Sequence, residues 1–384
     1  MAAWDLDDAV VRGVLSSALG SGGEFAEIFA EERISASIRL EDRKVEELST
    51  GRDRGAGIRV IRGLSTAFAF TNRLDRDALG EAAKAAAAGL SEQRVVDVAD
   101  LRRAPERVLN PVVIDPRRIP ADQKVAFVVA MDDAARAEAG AEARQVIAAY
   151  TETAQEVLIA NSEGSVVRDR RTRTRVTCQV VAARDGVVQT GFHSPGASAG
   201  FEHTQAYPAS TVGRRAARQA VTMLDSIPAP AGEMPVVLAP GGGGVLFHEA
   251  CGHGLEADLC FKGASVYKDR AGQTIGSALL SGVDQGDVPG SWGSFAYDDE
   301  GEPSKRTVLF EKGVLTGYMT DRIRAGAMDL PRSGNGRRQS YAHLPIPRMT
   351  NSSILPGDDD PDEIVRGTKR GLYAASFGGG QVNT

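Results

Sequence analysis

The amino-acid sequence predicts an α+β protein, and three observations predict it. Ile34, Ala36, Ile38 and Leu40 alternate with Arg33, Ser35, Ser37 and Arg39, the period of a half-buried strand. Val125, Val128 and Val129 fall at helical spacing within residues 121–138, with polar groups opposite, which marks a core-facing helix. An Ile-Pro-Ala-Pro-Ala-Gly linker at 227–232 then divides the chain, and the sequence beyond it is rich in glycine, short strands and turns.

The elements follow in order. A short amphipathic helix is expected around residues 7–19, leading through Gly20, Gly22 and Gly23 into the alternating strand. Segments 45–48, 57–61 and 65–70 follow after turn-like breaks, so residues 26–70 read as an antiparallel meander. Alanine-rich residues 77–90 form a helix, and Pro105, Pro111 and Pro116 mark a loop. Residues 143–190 return to strands, with Asn161-Ser162-Glu163-Gly164 as a turn. A helix over 207–225 stops before Pro228 and Pro230, and 236–238 begins a new apolar strand. The expected domains are therefore 1–226 and 232–384. No repeat at a solenoid period is present.

Composition narrows the function classes. At 384 residues, 42% hydrophobic and 25% charged, the chain is ordinary globular material, long enough for about two domains. A formal net charge of −6 lacks the global positive field of nucleic-acid or anionic-membrane binders. The three cysteines, Cys178, Cys251 and Cys260, are too few and too irregular for a disulfide framework, which points to a reducing compartment, with the cytoplasm as the expectation. The first residues carry early acids and no cationic region before an apolar one, so no secretory signal is read there. No apolar run reaches the roughly 18 residues of a spanning helix.

The most informative stretch is 240–256, where His248-Glu249-Ala250-Cys251-Gly252-His253-Gly254 follows a run of glycines. Neutral imidazoles are good zinc ligands, and a neighbouring glutamate can accept the proton of a metal-bound water, which is the chemistry of amide hydrolysis. His248 and His253 are thus candidate metal ligands, and Glu249 the candidate base. Their spacing is five, not the four of H-E-x-x-H. At roughly 100° per residue, five steps set the two rings about 140° apart on a regular helix. Convergence on one ion requires the helix to break, bulge or end between them, and Gly252 and Gly254 would permit a break through unusual backbone angles. The other reading open here is a pair of ordinary histidines, packed or solvated near a helix end. Glycines 241–244 lack the Gly-Lys-Ser/Thr ending of a P-loop and the G-x-G-x-x-G frame of a dinucleotide site. A tight strand-to-helix turn, or close approach of a substrate backbone at Gly243 and Gly244, fits them better than a nucleotide does.

Further motifs follow in order: Asp298-Asp-Glu-Gly-Glu-Pro, Gly313-Val-Leu-Thr-Gly-Tyr-Met, Gly334-Asn-Gly-Arg-Arg-Gln-Ser-Tyr-Ala-His343, Pro347-Arg-Met-Thr-Asn351 and Ser376-Phe-Gly-Gly-Gly-Gln-Val. With the histidine motif, they make the chain resemble the TldD/PmbA metallopeptidases, specifically their TldD-type catalytic subunit, over essentially its whole length. The resemblance implies an α/β N-terminal domain and a β-rich, barrel-like C-terminal domain carrying a broken metal-binding helix. It implies one zinc per active protomer on His248 and His253, with Glu249 catalytic. It also implies a hetero-oligomer with a PmbA/TldE-type subunit, or a homodimer, acting on unfolded or leader peptides, with neither nucleic acid nor membrane as partner. Gly243, Gly244, Arg338, His343 and Gly379 are the candidate substrate contacts. In the family a cysteine ligand lies beyond the Ser376 motif, whereas this chain stops at Thr384. The resemblance therefore implies a site one protein ligand short and a sheet lacking its last strands, with a truncated remnant or a non-catalytic binding subunit as the alternative to a peptidase. Cys251 or Cys260 could substitute, although buried structural cysteine is the expectation for both.

Arg337, Arg338, His343 and Arg348 could orient a peptide carboxylate or carbonyl, or form ion pairs with Asp298, Asp299 and Glu300. Arg171, Arg173 and Arg175 read as the charged face of a solvated edge strand. Asp358 to Asp360 with Asp362 read as the start of a helix. The mechanism expected is attack by a metal-activated water with Glu249 as base, on a substrate that binds extended along a strand edge.

Overall fold

A computed structural model describes residues 6–90 and 96–377. The first half contains α1 (Asp8–Leu19), β1 (Phe25–Glu41), β2 (Lys44–Arg62), β3 (Ser65–Thr71), α2 (Arg76–Ala88) and β4 (Arg102–Arg103). It continues with α3 (Ala121–Ala139), β5 (Ala143–Asn161), β6 (Ser165–Arg184), β7 (Val187–His193), β8 (Gly196–Ala197), α4 (His203–Ala206) and α5 (Ala209–Leu224). The strands form one sheet in the order β3-β2-β1-β5-β6-β4, with β7 and β8 also pairing β6. The helix expected over 207–225 is α5, which starts just after Pro208, and the short α4 precedes it.

Strand alternation decides which residues meet which neighbour. One face carries Ile28, Ile58, Val60 and Leu158 against α1 and α2, and farther along Ile38, Leu40, Tyr150, Val176 and Val180 against α3 and α5. The opposite face carries Phe29, Val157, Ile159 and Val167, which pack on Ala296 and Tyr297 of the second half. Near Ser35 and Thr153 that face emerges and is half-exposed.

Two readings of this half need correction. Segments 45–48 and 57–61 belong to one strand, β2, paired with β1 from Glu41↔Lys44 to Phe25↔Ile61. At Gly55, between those segments, Tyr341 lies on the strand: a Cβ there would come 2.3 Å from the tyrosine ring. Arg171 is not on a solvated edge, because β6 is interior and Arg171 is 4% exposed. Its Nη1 donates to Asp299 at 2.6 Å, its Nε to Asp169 at 3.0 Å and its Nη2 to the Tyr297 carbonyl at 2.7 Å.

Between α5 and β9 (Val236–Leu238) the chain has neither helix nor strand. The second half then adds α6 (Gly242–Phe247), α7 (Ala257–Lys262), β10 (Gly282–Gln285), β11 (Arg306–Glu311), β12 (Val314–Leu315) and α8 (Arg322–Ala327). Next come β13 (Gly336–Arg337), β14 (Ile346–Pro347), β15 (Ser352–Ile354), α9 (Pro361–Gly367) and β16 (Leu372–Ala374). As the acid run suggested, Asp360 caps α9 by accepting from the Asp362 and Glu363 amides. A four-stranded sheet, β12-β11-β10-β15, is joined by the pairs β13–β14 and β16–β9. Among the described residues these strands do not close into the expected barrel, since two- to six-residue strands separated by turns give too little continuous pairing to curl a sheet shut.

The two halves are joined by buried ions. Arg59, 1% exposed, donates to Glu27 at 2.8 Å and to Glu300 at 2.7 Å. Arg338 also bonds Glu27, and the Arg322 amide donates to Glu300 at 2.7 Å. Burial by itself would raise the Glu27 carboxyl, but Arg59 and Arg338 outweigh it and hold it below the usual carboxylate range. Removing one partner would strand the rest in a dry interface. Arg59→Met is accordingly expected to lower stability by about 3–5 kcal/mol in denaturant titration, the cost of an uncompensated buried charge; a change under about 1 kcal/mol would show that water already screens this cluster.

Candidate metal centre

The histidine motif lies on a helix whose winding changes partway. After β9, Gly241 takes φ 89°, a left-handed conformation that glycine adopts without steric cost, and α6 begins. From His248 to Gly252 the helix widens into a π turn, in which the His253 amide donates to the His248 carbonyl. Residues 253–255 then tighten into a 3₁₀ turn before α7. An i→i+5 bond stacks residues five apart, as an α-helix stacks residues four apart. His248 and His253 therefore share one side, their ring centroids 4.8 Å apart and their planes at 86°. With Glu249, their potential ligand atoms all lie within 4.8 Å of one another.

Side chains from outside the helix support the wide turn. A π turn leaves a carbonyl without its α-helical partner, and the Tyr267 hydroxyl donates to Ala250 O at 3.1 Å. The Gly254 carbonyl accepts from Ser265 Oγ and, at 3.2 Å, from Cys260 Sγ. The glycines act differently from what their spacing suggested. Gly252 has ordinary helical angles, φ −54° and ψ −56°, and its missing side chain makes room for Met349, whose Sδ would sit 2.1 Å from a Cβ. Gly254 likewise admits the Tyr267 ring, which a Cβ would meet at 2.7 Å.

The surroundings favour a cation. Glu256, 1% exposed, places Oε2 3.4 Å from His253 Nδ1 and accepts from Arg348 Nη1 at 2.8 Å and the Met349 amide at 3.4 Å. Burial pushes its carboxyl up to about 7 against the pull of Arg348. Burial, and next the neighbouring His253, hold His248 below the ordinary histidine range, so the imidazole stays in its neutral, ligating form. Asp284, also 1% exposed, accepts from Asn335 Nδ2 at 2.7 Å, Thr350 Oγ1 at 2.6 Å and Ser352 Oγ at 2.8 Å, tying 350–352 to β10 beside the motif. Two imidazoles, an adjacent carboxylate and an acid behind one imidazole form a donor set that fits a divalent metal ion.

The remaining candidates are dispersed. Gly243 and Gly244 lie in the first turn of α6, where a Cβ on Gly244 would meet nothing within 4 Å. Arg338 is buried on Glu27 and the His343 carbonyl, the latter at 2.7 Å, while exposed His343 bonds Ser340 through Nδ1 at 2.9 Å. Gly379 lies outside the described residues. Arg348 pairs with Glu256, not with the 298–300 acids. Cys260 is buried and Cys251 half-buried, and neither belongs to the ligand group. Sequence reasoning gave no role to Glu256, Tyr267, Met349 or Asp284. Only Glu256 left a signal, its place three residues after His253, one helical turn on.

Because Met349 occupies the space beside Gly252, Gly252→Ala is expected to distort the π turn and destabilise the protein by about 1–3 kcal/mol by thermal melting. Met349→Ala in the same chain would recover part of the loss; a neutral Gly252→Ala would mean that the turn does not depend on this contact.

Known proteins are similar to the chain in sequence and in fold. Residues 26–89, 114–224 and 231–384 match the domains described as PmbA/TldA metallopeptidase domain 1, central domain and C-terminal domain. The chain is 35% identical over 370 residues to a metalloprotease TldD homolog of Haemophilus influenzae, covering 94% of this chain and 76% of that one. A zinc metalloprotease TldD homolog of Saccharolobus solfataricus is 39% identical over 155 residues, 40% of this chain and 34% of that one. The fold is similar to that of TldE from Thermococcus kodakarensis, with a TM-score of 0.79 at 18% identity, covering 98% of this chain and 83% of that one. The chain belongs to the TldD/PmbA family of metallopeptidases.

Proposed function

We propose that the chain hydrolyses peptide bonds at a zinc ion held by His248 and His253, with Glu249 as general base. The observation that carries this reading is the π turn, which aims two imidazoles five residues apart at a common point beside a carboxylate. A metal bound there supplies a water acidified toward neutrality and polarises the scissile carbonyl. Glu249 accepts a proton from the attacking water and returns it to the leaving amine. Glu256 accepts a hydrogen bond from His253 Nδ1–H, fixing the tautomer that leaves Nε2 free as a donor atom.

The same geometry supports an extended substrate. β15 is the edge of its sheet among the described residues and packs beside α6 and the π turn. A peptide could add to it as a further strand, through main-chain bonds that select for unfolded segments over sequence. Gly243 and Gly244 would let that backbone approach closely. The substrates in this reading are unfolded or leader peptides, and the partner is a TldE-type subunit or a second copy, working in the cytoplasm. No helix among the described residues is long and apolar enough to cross a membrane.

Glu249→Gln is expected to reduce peptide cleavage by about 10²-fold or more while bound metal, measured by elemental analysis, stays at about one per chain. His253→Ala should lose the metal, and cleavage retained in Glu249→Gln would overturn the base assignment. A metal-free wild-type chain that still binds peptide would indicate a non-catalytic binding subunit. Glu256→Gln is expected to weaken metal affinity by about 10- to 100-fold in chelator competition, and unchanged affinity would remove its positioning role.

A further inference from the structure

A second group of cations lies where the long sheet emerges from beneath the second half. Arg171, Arg173 and Arg175 alternate onto one face of β6, and Arg337 on β13 approaches the same place. Arg171 is fully engaged, but its neighbours are not. Arg337 stacks 4.7 Å over the Phe295 ring, and its nearest carboxylate, Asp299 at 3.8 Å, is already held by Arg171 and by the Arg338 amide at 2.8 Å. Arg337 Nε is buried with no acceptor. Arg173 donates Nε to the Trp292 carbonyl at 2.9 Å and sits 5.9 Å from the Trp292 ring, with no salt bridge among the described residues.

Arg173 therefore has no ion pair among the described residues, and Arg337 has a long one to a carboxylate that Arg171 already holds. Burial, and next Arg337 and Arg171, pull Arg173 down to about 9, and burial lowers Arg337 too. Across the sheet the adjoining positions are hydroxyls: Arg173 pairs with Thr153, and Thr153 with Ser35. These can donate to an anion but cannot neutralise the arginines. Incompletely neutralised buried charge is costly, so the arrangement favours an incoming anion, and two planar guanidiniums suit a carboxylate.

The cluster is linked to the histidine site. Asn335, two residues before Arg337, bonds Asp284, and the Asp284 charge acts on both Arg337 and His248. β13 pairs with β14, which leads directly to Arg348 on Glu256. We propose that Arg173 and Arg337 form a subsite for a carboxylate of a peptide, either its free C-terminus or an acidic side chain, bound in the orientation the histidine site requires. This rests on the peptidase reading and adds to it a preference for acidic or C-terminal segments.

The test is calorimetric titration of the full chain, stripped of metal by chelator, with three short peptides that differ only in charge: an uncharged C-terminal amide, its free acid, and an amide carrying one Glu. At least one carboxylated peptide is expected to bind about tenfold tighter than the neutral amide, a difference of about 1.4 kcal/mol. Which of the two gains affinity identifies the source of the carboxylate. Arg337→Gln and Arg173→Gln should each shrink that gain and their combination abolish it, with neutral-amide binding unchanged. Equal affinity for all three peptides, no binding of any, or a preference that survives the double variant overturns the proposal. If Arg337→Gln fails to fold by thermal melting, Arg173→Gln carries the test, since among the described residues its hydrogen bond is to a backbone carbonyl. No turnover is measured in this titration, so the subsite stands or falls on binding alone, while the peptidase reading is tested separately by the cleavage assay on Glu249→Gln.

Discussion

The hydrogen bond from the His253 amide to the His248 carbonyl is the constraint on which the candidate site depends. In regular α-helical winding the two imidazoles would point well apart, and the motif would offer one donor to a metal at a time. Widening the helix by one residue brings the rings to 4.8 Å. The widened turn is not self-supporting, because it leaves a carbonyl for which the helix has no donor. Tyr267 fills that need, and Met349 packs into the space that only glycine at 252 leaves open. A short motif is thus held in an uncommon conformation by residues from two other segments.

Those segments are themselves held by buried charge. Glu256 and Asp284 are both almost fully buried, and each collects donors from 348–352, so that stretch is fixed against the motif on one side and against β10 on the other. Farther out, Glu27, Arg59, Glu300 and Arg338 join the first half to the second. Such pairs yield little net stability after desolvation, but they are geometrically demanding, since a displaced member leaves its partner unpaired in a dry interface. Their effect is to fix the sheet relative to the site. That in turn sets where Arg173 and Arg337 stand relative to the histidines.

The β15 edge and the histidine site pack together, and the long sheet presents a second, separate open face. Helices cover the other face of the sheet along much of its length, while the second half covers only part of this one. What remains carries hydroxyls and under-neutralised arginines, a surface suited to a polar, extended chain. The half-exposed histidine pair lies instead beside β15, so the β15 edge is the strand nearest the candidate metal site.

By itself the sequence determined the local elements and the candidate chemistry. Period-two alternation gave β1, the apolar spacing of Val125 and Val128 gave α3, and Pro228 and Pro230 stopped the helix before them, because each signal is carried by neighbours in the chain. The histidine spacing even stated the condition that a metal site had to meet, a helix that departs from α winding. How that condition was met was decided by tertiary structure. Tyr267 and Met349 act on the motif from separate segments of the chain, so no local pattern marks them. The turn-like break expected between 48 and 57 is continuous strand, where Tyr341 rests on Gly55, and Arg171 looked solvated because its partner Asp299 is distant in sequence. The short strands of the second half carried no information about closure, which depends on pairing between strands and not on any strand alone.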